Sequence, residues 1–325
     1  MSKIDLSKYK FRTDLIIENE EVDHSEKIID DITITTTKQN GNYITLSFDD
    51  ITNYESREKV GKQLELVLKN ILKLNHIKES DSCLVIGLGN ILSTPDSLGV
   101  KTLNNIVITS HLYEINAIKK GIRKVSSFAP GVMANTGIES SKIITSLIKE
   151  IKPKFLIAID ALASRSIEKI NKIIQVTDTG IHPGSGIGNN RLEISKKTMG
   201  IPVIAIGVPT VVLSSTIVYD TIEYLYKHVS YIKENESISK LSYKKTNYQK
   251  KIKDRNLTNI EKEQLLGLFG SLSNSERLSL IDEVLNNTEL NLIVTPTEID
   301  FLIDKLSNLI SSSINNALHR QITHF

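Results

Sequence analysis

The stretch Cys83–Gly99, "CLVIGLGNILSTPDSLG", decides the fold. Its first five residues are apolar or glycine, as in a strand buried on both faces. Gly87 closes that run, Gly89 follows, and then a polar turn opens a new apolar segment. A strand feeding a glycine-rich loop and a helix is the first unit of an α/β sheet. Such loops often hold phosphate, yet this one carries Asp96, whose charge would repel an anion. Gly87 and Gly89 match the first two glycines of G-x-G-x-x-G, but the third position is Leu92. The dinucleotide fingerprint therefore fails where strand and helix must pack closely.

Outward from this unit, strands and helices alternate. "YITLSF" (43–48) predicts a strand, and the spacing of Val60, Leu64, Leu66, Val67, Ile71 and Leu74 predicts a helix over 54–74. "GIESSKIITSLIKEI" (137–151) predicts a helix, and "KFLIAID" (154–160) a strand ending at Asp160. "KIIQVTD" (172–178) is a further strand, and "IPVIAIGVPT" (201–210) another, stopped by Pro209. Residues 215–229 predict a helix, while 105–114 suits strand or helix equally. Residues 1 to about 40 are polar and weakly patterned. The fold class that follows is α/β: a mainly parallel open sheet with helices on both faces. A basic polar excursion covers 231–257. Three helical segments near 259–269, 274–287 and 297–318 form a C-terminal extension.

Composition narrows the function. Lys and Arg total 40 and Asp and Glu 38, so the net charge of +2 gives no global field for nucleic acid or anionic membrane. No run approaches the ~18 apolar residues of a membrane span. The N-terminus lacks the apolar core of a secretory signal, so the expectation is a soluble cytoplasmic protein. The single cysteine, Cys83, lies inside a predicted strand and makes a poor nucleophile. There is no P-loop, no G-x-S-x-G and no H-E-x-x-H. Ser185 sits between glycines without an elbow pattern.

The aspartates remain. Asp178-Thr179-Gly180 copies the triplet of pepsin-like proteases, but those need two triplets in an all-β fold, so a turn role is expected here. Asp96 and Asp160 form the better pair. Each follows an apolar strand, and open α/β sheets bind ligands outside the carboxyl ends of their strands. If the two strands are neighbours, both carboxylates face one cleft. Two such groups can share a proton and act as general acid and base around a water. His182, Asp178 and Arg165 are secondary candidates.

Five segments make the chain recognisable: "GLGN…TPDSLG" (87–99), "PGVMANTGIES" (130–140), "AIDALASRS" (158–166), "DTGIHPGSGIGNNR" (178–191) and "IPVIAIGVPTVV" (201–212). Together they resemble the germination protease family of endospore-forming bacteria, as do "LSKYKFRTDL" (6–15), "VTPTEIDFLI" and "NNALH". The resemblance implies an unusual aspartic endopeptidase with Asp96 and Asp160 as its catalytic pair and no cofactor. It implies small acid-soluble proteins of the spore core as substrates, a homotetramer, and no direct contact with nucleic acid or membrane. It implies a zymogen that removes its own N-terminal segment, and a fold similar to hydrogenase-maturation endopeptidases, which keeps as alternatives a metallopeptidase with Asp96, Asp160 and His182 as ligands and, behind it, a non-catalytic binding module. The expected cut lies between Ile16 and Ile17, because Asp14-Leu15-Ile16 then Ile17-Glu18 repeats the acid–apolar–apolar, then acid, order of the substrates. The expected divisions are a prosegment at 1–16, a peptidase core at 17–230, the excursion at 231–257 and the extension at 258–325.

Overall fold

The computed structural model describes residues 14–19, 22–115, 117–118, 121–184, 192–234, 255–288, 290 and 292–320. Ser185, the rest of the glycine-rich loop to 191, most of the basic excursion (235–254) and prosegment residues 1–13 lie outside the described residues.

The chain forms two compact units. Among the described residues, one comprises 14–212 with 295–320 and carries the sheet. The other is helical and lies within Leu213–Val294. The final helix, Ile299–Leu318, thus groups with the sheet and not with the helices that precede it in sequence.

The strands are β1 (His24–Ile29), β2 (Ile32–Lys38), β3 (Asn42–Ser47), β4 (Cys83–Gly87), β5 (Val125–Phe128), β6 (Phe155–Ser164), β7 (Ile173–Thr177) and β8 (Val203–Leu213). They lie side by side in the order β1-β2-β3-β7-β8-β6-β4-β5. Strands β8, β6, β4 and β5 pair in parallel. Strands β1, β2, β3 and β7 extend them as an antiparallel ladder, and β7 joins β8 antiparallel. The α/β class is therefore as expected, with the parallel part confined to one half of a mixed sheet. The apolar runs in β4, β6 and β8 report burial on both faces, and burial carries no information about direction.

Helices cover both faces. On one lie α1 (Tyr54–Leu74), α2 (Leu98–Leu103) and the final helix, which share a core with Phe155, Ile157, Ile159, Ile204 and Ile206. Helix α1 starts at Asn53, whose side chain accepts the Ser56 N–H at 3.1 Å. The final helix packs on α1, where Ser313 Oγ donates to the Gly61 carbonyl at 3.0 Å. On the opposite face α3 (Ser140–Ile151) buries Ile144 against Leu84, Leu156, Ala158 and Leu162.

Three expectations are corrected. Strand β6 does not end at Asp160 but runs four residues further, with β8 still beside it. Nor does Pro209 stop β8. It sits in the strand next to a register shift between Leu162 and Ala163 on β6, and it falls just past the pairing with β7, which reaches only Gly207. A proline without an N–H is tolerated where no ladder bond is required. Residues 24–38, read as weakly patterned, form the hairpin β1–β2.

Candidate active site

Asp160 enters the site from a strand interior. Strand β4 ends at Gly87, opposite Ile159, so Asp160 is the first residue of β6 beyond the end of that neighbour. Alternation along β6 puts Asp160 on the face of Leu156, Ala158 and Leu162. Only 5% of it is exposed. Its Oδ1 accepts the Ala161 N–H at 3.0 Å.

Asp96 arrives from the loop after β4. The Leu88 N–H donates to the Ile159 carbonyl at 2.8 Å, which continues the β4–β6 register one residue past the strand. Gly89 follows with φ +104. A short turn, Thr94–Asp96, then folds back over it. The Asp96 carbonyl accepts the Asn90 N–H at 3.0 Å, and the Asp96 N–H donates to Ser93 at 2.9 Å. The turn touches β6.

The glycines of the opening stretch serve this closure. A Cβ on Gly89 would lie 1.9 Å from the Asp96 carbonyl oxygen and 3.0 Å from its Oδ1. A Cβ on Gly99 would lie 2.4 Å from the carbonyls of Ile159 and Leu88, and one on Gly87 2.3 Å from the Gly99 carbonyl. The loop thus packs backbone on backbone, and α2 starts directly above the strand that carries Asp160. The Asp96 carboxylate lies beside Gly89, one strand over from Asp160. The half-buried Asp96 and buried Asp160 thus lie just past the carboxyl end of β4, one in the loop that follows it and the other inside the neighbouring parallel strand β6.

The secondary candidates separate. Asp178 belongs to the fold: Oδ1 accepts the Asn42 N–H at 2.7 Å, and Oδ2 accepts the side-chain amides of Asn42 at 2.7 Å and Asn75 at 2.9 Å. It ties β7 to β3 and the end of α1, as the turn role requires. His182 is largely exposed, and its Nε2 stands 4.0 Å from Glu193. Among the described residues no three His, Cys, Asp or Glu side chains gather as a metal-holding group, so His182 is not brought to Asp96 and Asp160 as a third ligand. Burial pushes the Cys83 thiol up, far from the thiolate a nucleophile needs.

Arg165 receives the chain's own N-terminal segment. Its amide donates to Glu18 Oε2 at 2.9 Å and its guanidinium to the Glu18 carbonyl at 3.3 Å. Ser164 Oγ donates to Glu18 Oε1 at 2.8 Å, and Lys169 Nζ lies 3.2 Å from the same oxygen. The Asp14 and Ala163 backbones meet as well, and Ala163 N–H donates to Asp14 Oδ2 at 3.0 Å. Leu15 is buried with Leu162 and Ile173. Gln175 clamps the backbone between them: Ile16 N–H donates to its Oε1 at 2.8 Å, and its Nε2 donates to the Asp14 carbonyl at 2.9 Å. Gln175 and Asp160 flank Gly207 in one row across β7, β8 and β6. Residues Ile16 and Ile17 of the expected cut therefore sit in a turn (Ile16–Glu18) held over the face that carries Asp160. Gln175 and Ser164 went unnoticed in the sequence. The available signal was a lone glutamine in the otherwise apolar "IIQVT".

A profile of the germination protease family matches residues 8–324. A germination protease of Bacillus pumilus is 42% identical, covering 99% of this chain and 96% of that one. Those of Bacillus subtilis and Priestia megaterium are 39% and 40% identical, with 99% and 98% of this chain and 97% and 96% of theirs covered. Among solved structures, the [NiFe] hydrogenase maturation protease HycI from Thermococcus kodakarensis aligns over 44% of this chain and 80% of its own, at 18% identity and a TM-score of 0.29. On the profile and the near-full-length relatives, the chain belongs to the germination protease family of peptidases.

Proposed function

We propose that the chain is an aspartic-type endopeptidase that starts the breakdown of small acid-soluble spore proteins at germination, and that it is made as a zymogen which cuts its own N-terminal segment. Asp96 and Asp160 share one proton around a water. One carboxylate takes a proton from the water as its oxygen bonds to the peptide carbonyl carbon. The other gives its proton to the amide nitrogen as the C–N bond breaks, leaving a carboxylic acid and an amine. One observation carries the reading: residues Asp14–Glu18, which bracket the expected cut, are held on the strand that bears Asp160. An enzyme that cuts itself must present that segment to its own chemistry, and proximity of this kind lowers the barrier substantially.

The working protein is a homotetramer in the spore core in this proposal, and its substrates are proteins. No helix among the described residues is long and apolar enough to cross a membrane. The test is to incubate the wild type, Asp96→Asn and Asp160→Asn with a small acid-soluble spore protein. Loss of cleavage in both variants, with chelator leaving the wild type active, supports the aspartic mechanism. Chelator-sensitive activity would reassign the two aspartates as metal ligands.

A further inference from the structure

The N-terminal segment is held by charge as well as by apolar burial. Glu18 is 8% exposed. A carboxylate this buried is costly unless paired, so an apolar anchor would have held a disposable segment more simply. Instead the fold provides a hydroxyl from Ser164, an amide from Arg165 and an ammonium from Lys169. The preceding residue, Ala163, donates its amide to Asp14. Three consecutive residues at the end of β6 thus face two acids four positions apart. They can do so because β4 stops opposite Ile159 and leaves this edge of β6 unpaired by it.

We propose that Ala163, Ser164, Arg165 and Lys169 form the subsite that reads acidic side chains of the peptide substrate, and that Asp14 and Glu18 occupy it in the uncut chain. This rests on the peptidase reading above and identifies its specificity-determining residues. Gln175 supplies the part that is blind to sequence, because it holds backbone. A cut between Ile16 and Ile17 puts the two acids on separate pieces. The two-point hold is then lost: the piece with Asp14 dissociates, and Glu18, still joined to the mature chain, is displaced when substrate takes the strip.

The test uses the self-processed wild-type enzyme and a synthetic peptide of residues 10–22, KFRTDLIIENEEV, beside the same peptide with Glu18→Gln. Hydrogen bonds to a charged group support about a ten- to hundred-fold preference in kcat/KM for the glutamate peptide. In Lys169→Gln that preference falls towards unity, mainly through KM, and Lys169→Arg restores it. Lys169 is partly exposed on a surface turn, so its replacement leaves the core intact. A purely structural lysine would change both peptides alike. Equal cleavage of the two peptides by the wild type, or an unchanged preference in Lys169→Gln, overturns the subsite and leaves the peptidase reading standing. Failure to cut either peptide or the chain's own N-terminus overturns both.

Discussion

Two aspartates that look alike in sequence part company in their surroundings. Asp160 and Asp178 each follow an apolar run, but Asp178 is saturated by amides from Asn42 and Asn75. Asp160 lies where one neighbouring strand has ended. Asp178→Asn should lower stability by about 1–3 kcal/mol, since an amide cannot accept all those donors, while leaving turnover in the folded protein close to wild type. Denaturant unfolding and peptidase assay together check this. Asp96→Asn and Asp160→Asn should instead lower turnover by about 10²–10⁴-fold with little loss of fold, because the amide keeps the shape and cannot carry the proton. That Asp96 and Asp160 each follow an apolar strand was legible in the sequence. The place of Asp160 inside its strand was not: a charge after "FLIAI" reads as a strand end, whereas β6 continues through Ala161, Leu162 and Ala163 because β8 runs on beside it.

At the scale of elements, the packing of α2 on the sheet sets the position of Asp96. Gly99→Ala would drive a methyl to within 2.4 Å of two backbone carbonyls, which no side-chain motion relieves. The cost should be about 1–3 kcal/mol. Displacement of the Thr94–Asp96 turn should cost activity as well, since about 1 Å of misplacement can cost 10²-fold. Thermal melts and rate measurements on the one variant read both.

The end of the final helix carries a pH dependence. His319 is buried; its Nδ1 accepts the Arg123 N–H at 3.1 Å, and Arg123 Nε donates to the Leu318 carbonyl at 3.4 Å. Burial, with the Arg123 charge adding to it, holds the imidazole below its ordinary pKa, against a contact with Val107 that acts the other way. The folded chain thus resists a proton that the unfolded chain takes near pH 6.5. The His319 contribution to stability is full above that pH and is lost as pH falls through the folded value. The melting temperature should drop on acidification below about 6.5, and His319→Asn, which keeps an acceptor for Arg123, should flatten that part of the curve.

Across the whole molecule, periodicity located most buried elements and failed at the exposed antiparallel edge. β1 is exposed along nearly all its length, and β2 is rich in threonine, so neither alternates cleanly. The usable signals were turns: Asp30 and Asp31, both with positive φ, close β1–β2, and Asn40-Gly41 lies between β2 and β3. Strand order was not legible, because which apolar runs become neighbours is settled by packing between distant segments. The docking of Asp14–Glu18 depends in the same way on Gln175 and Ser164, some 150 residues away in sequence.

The central claim is that one pair of aspartates cuts both the substrate and the chain itself. The most direct measurement is the intact mass of the wild type and of Asp160→Asn after incubation at mildly acidic pH. The wild type should convert to a stable product starting within a residue or two of Ile17, and Asp160→Asn should keep its full mass. The same product from Asp160→Asn at a comparable rate, or a wild-type product starting elsewhere, would contradict the account.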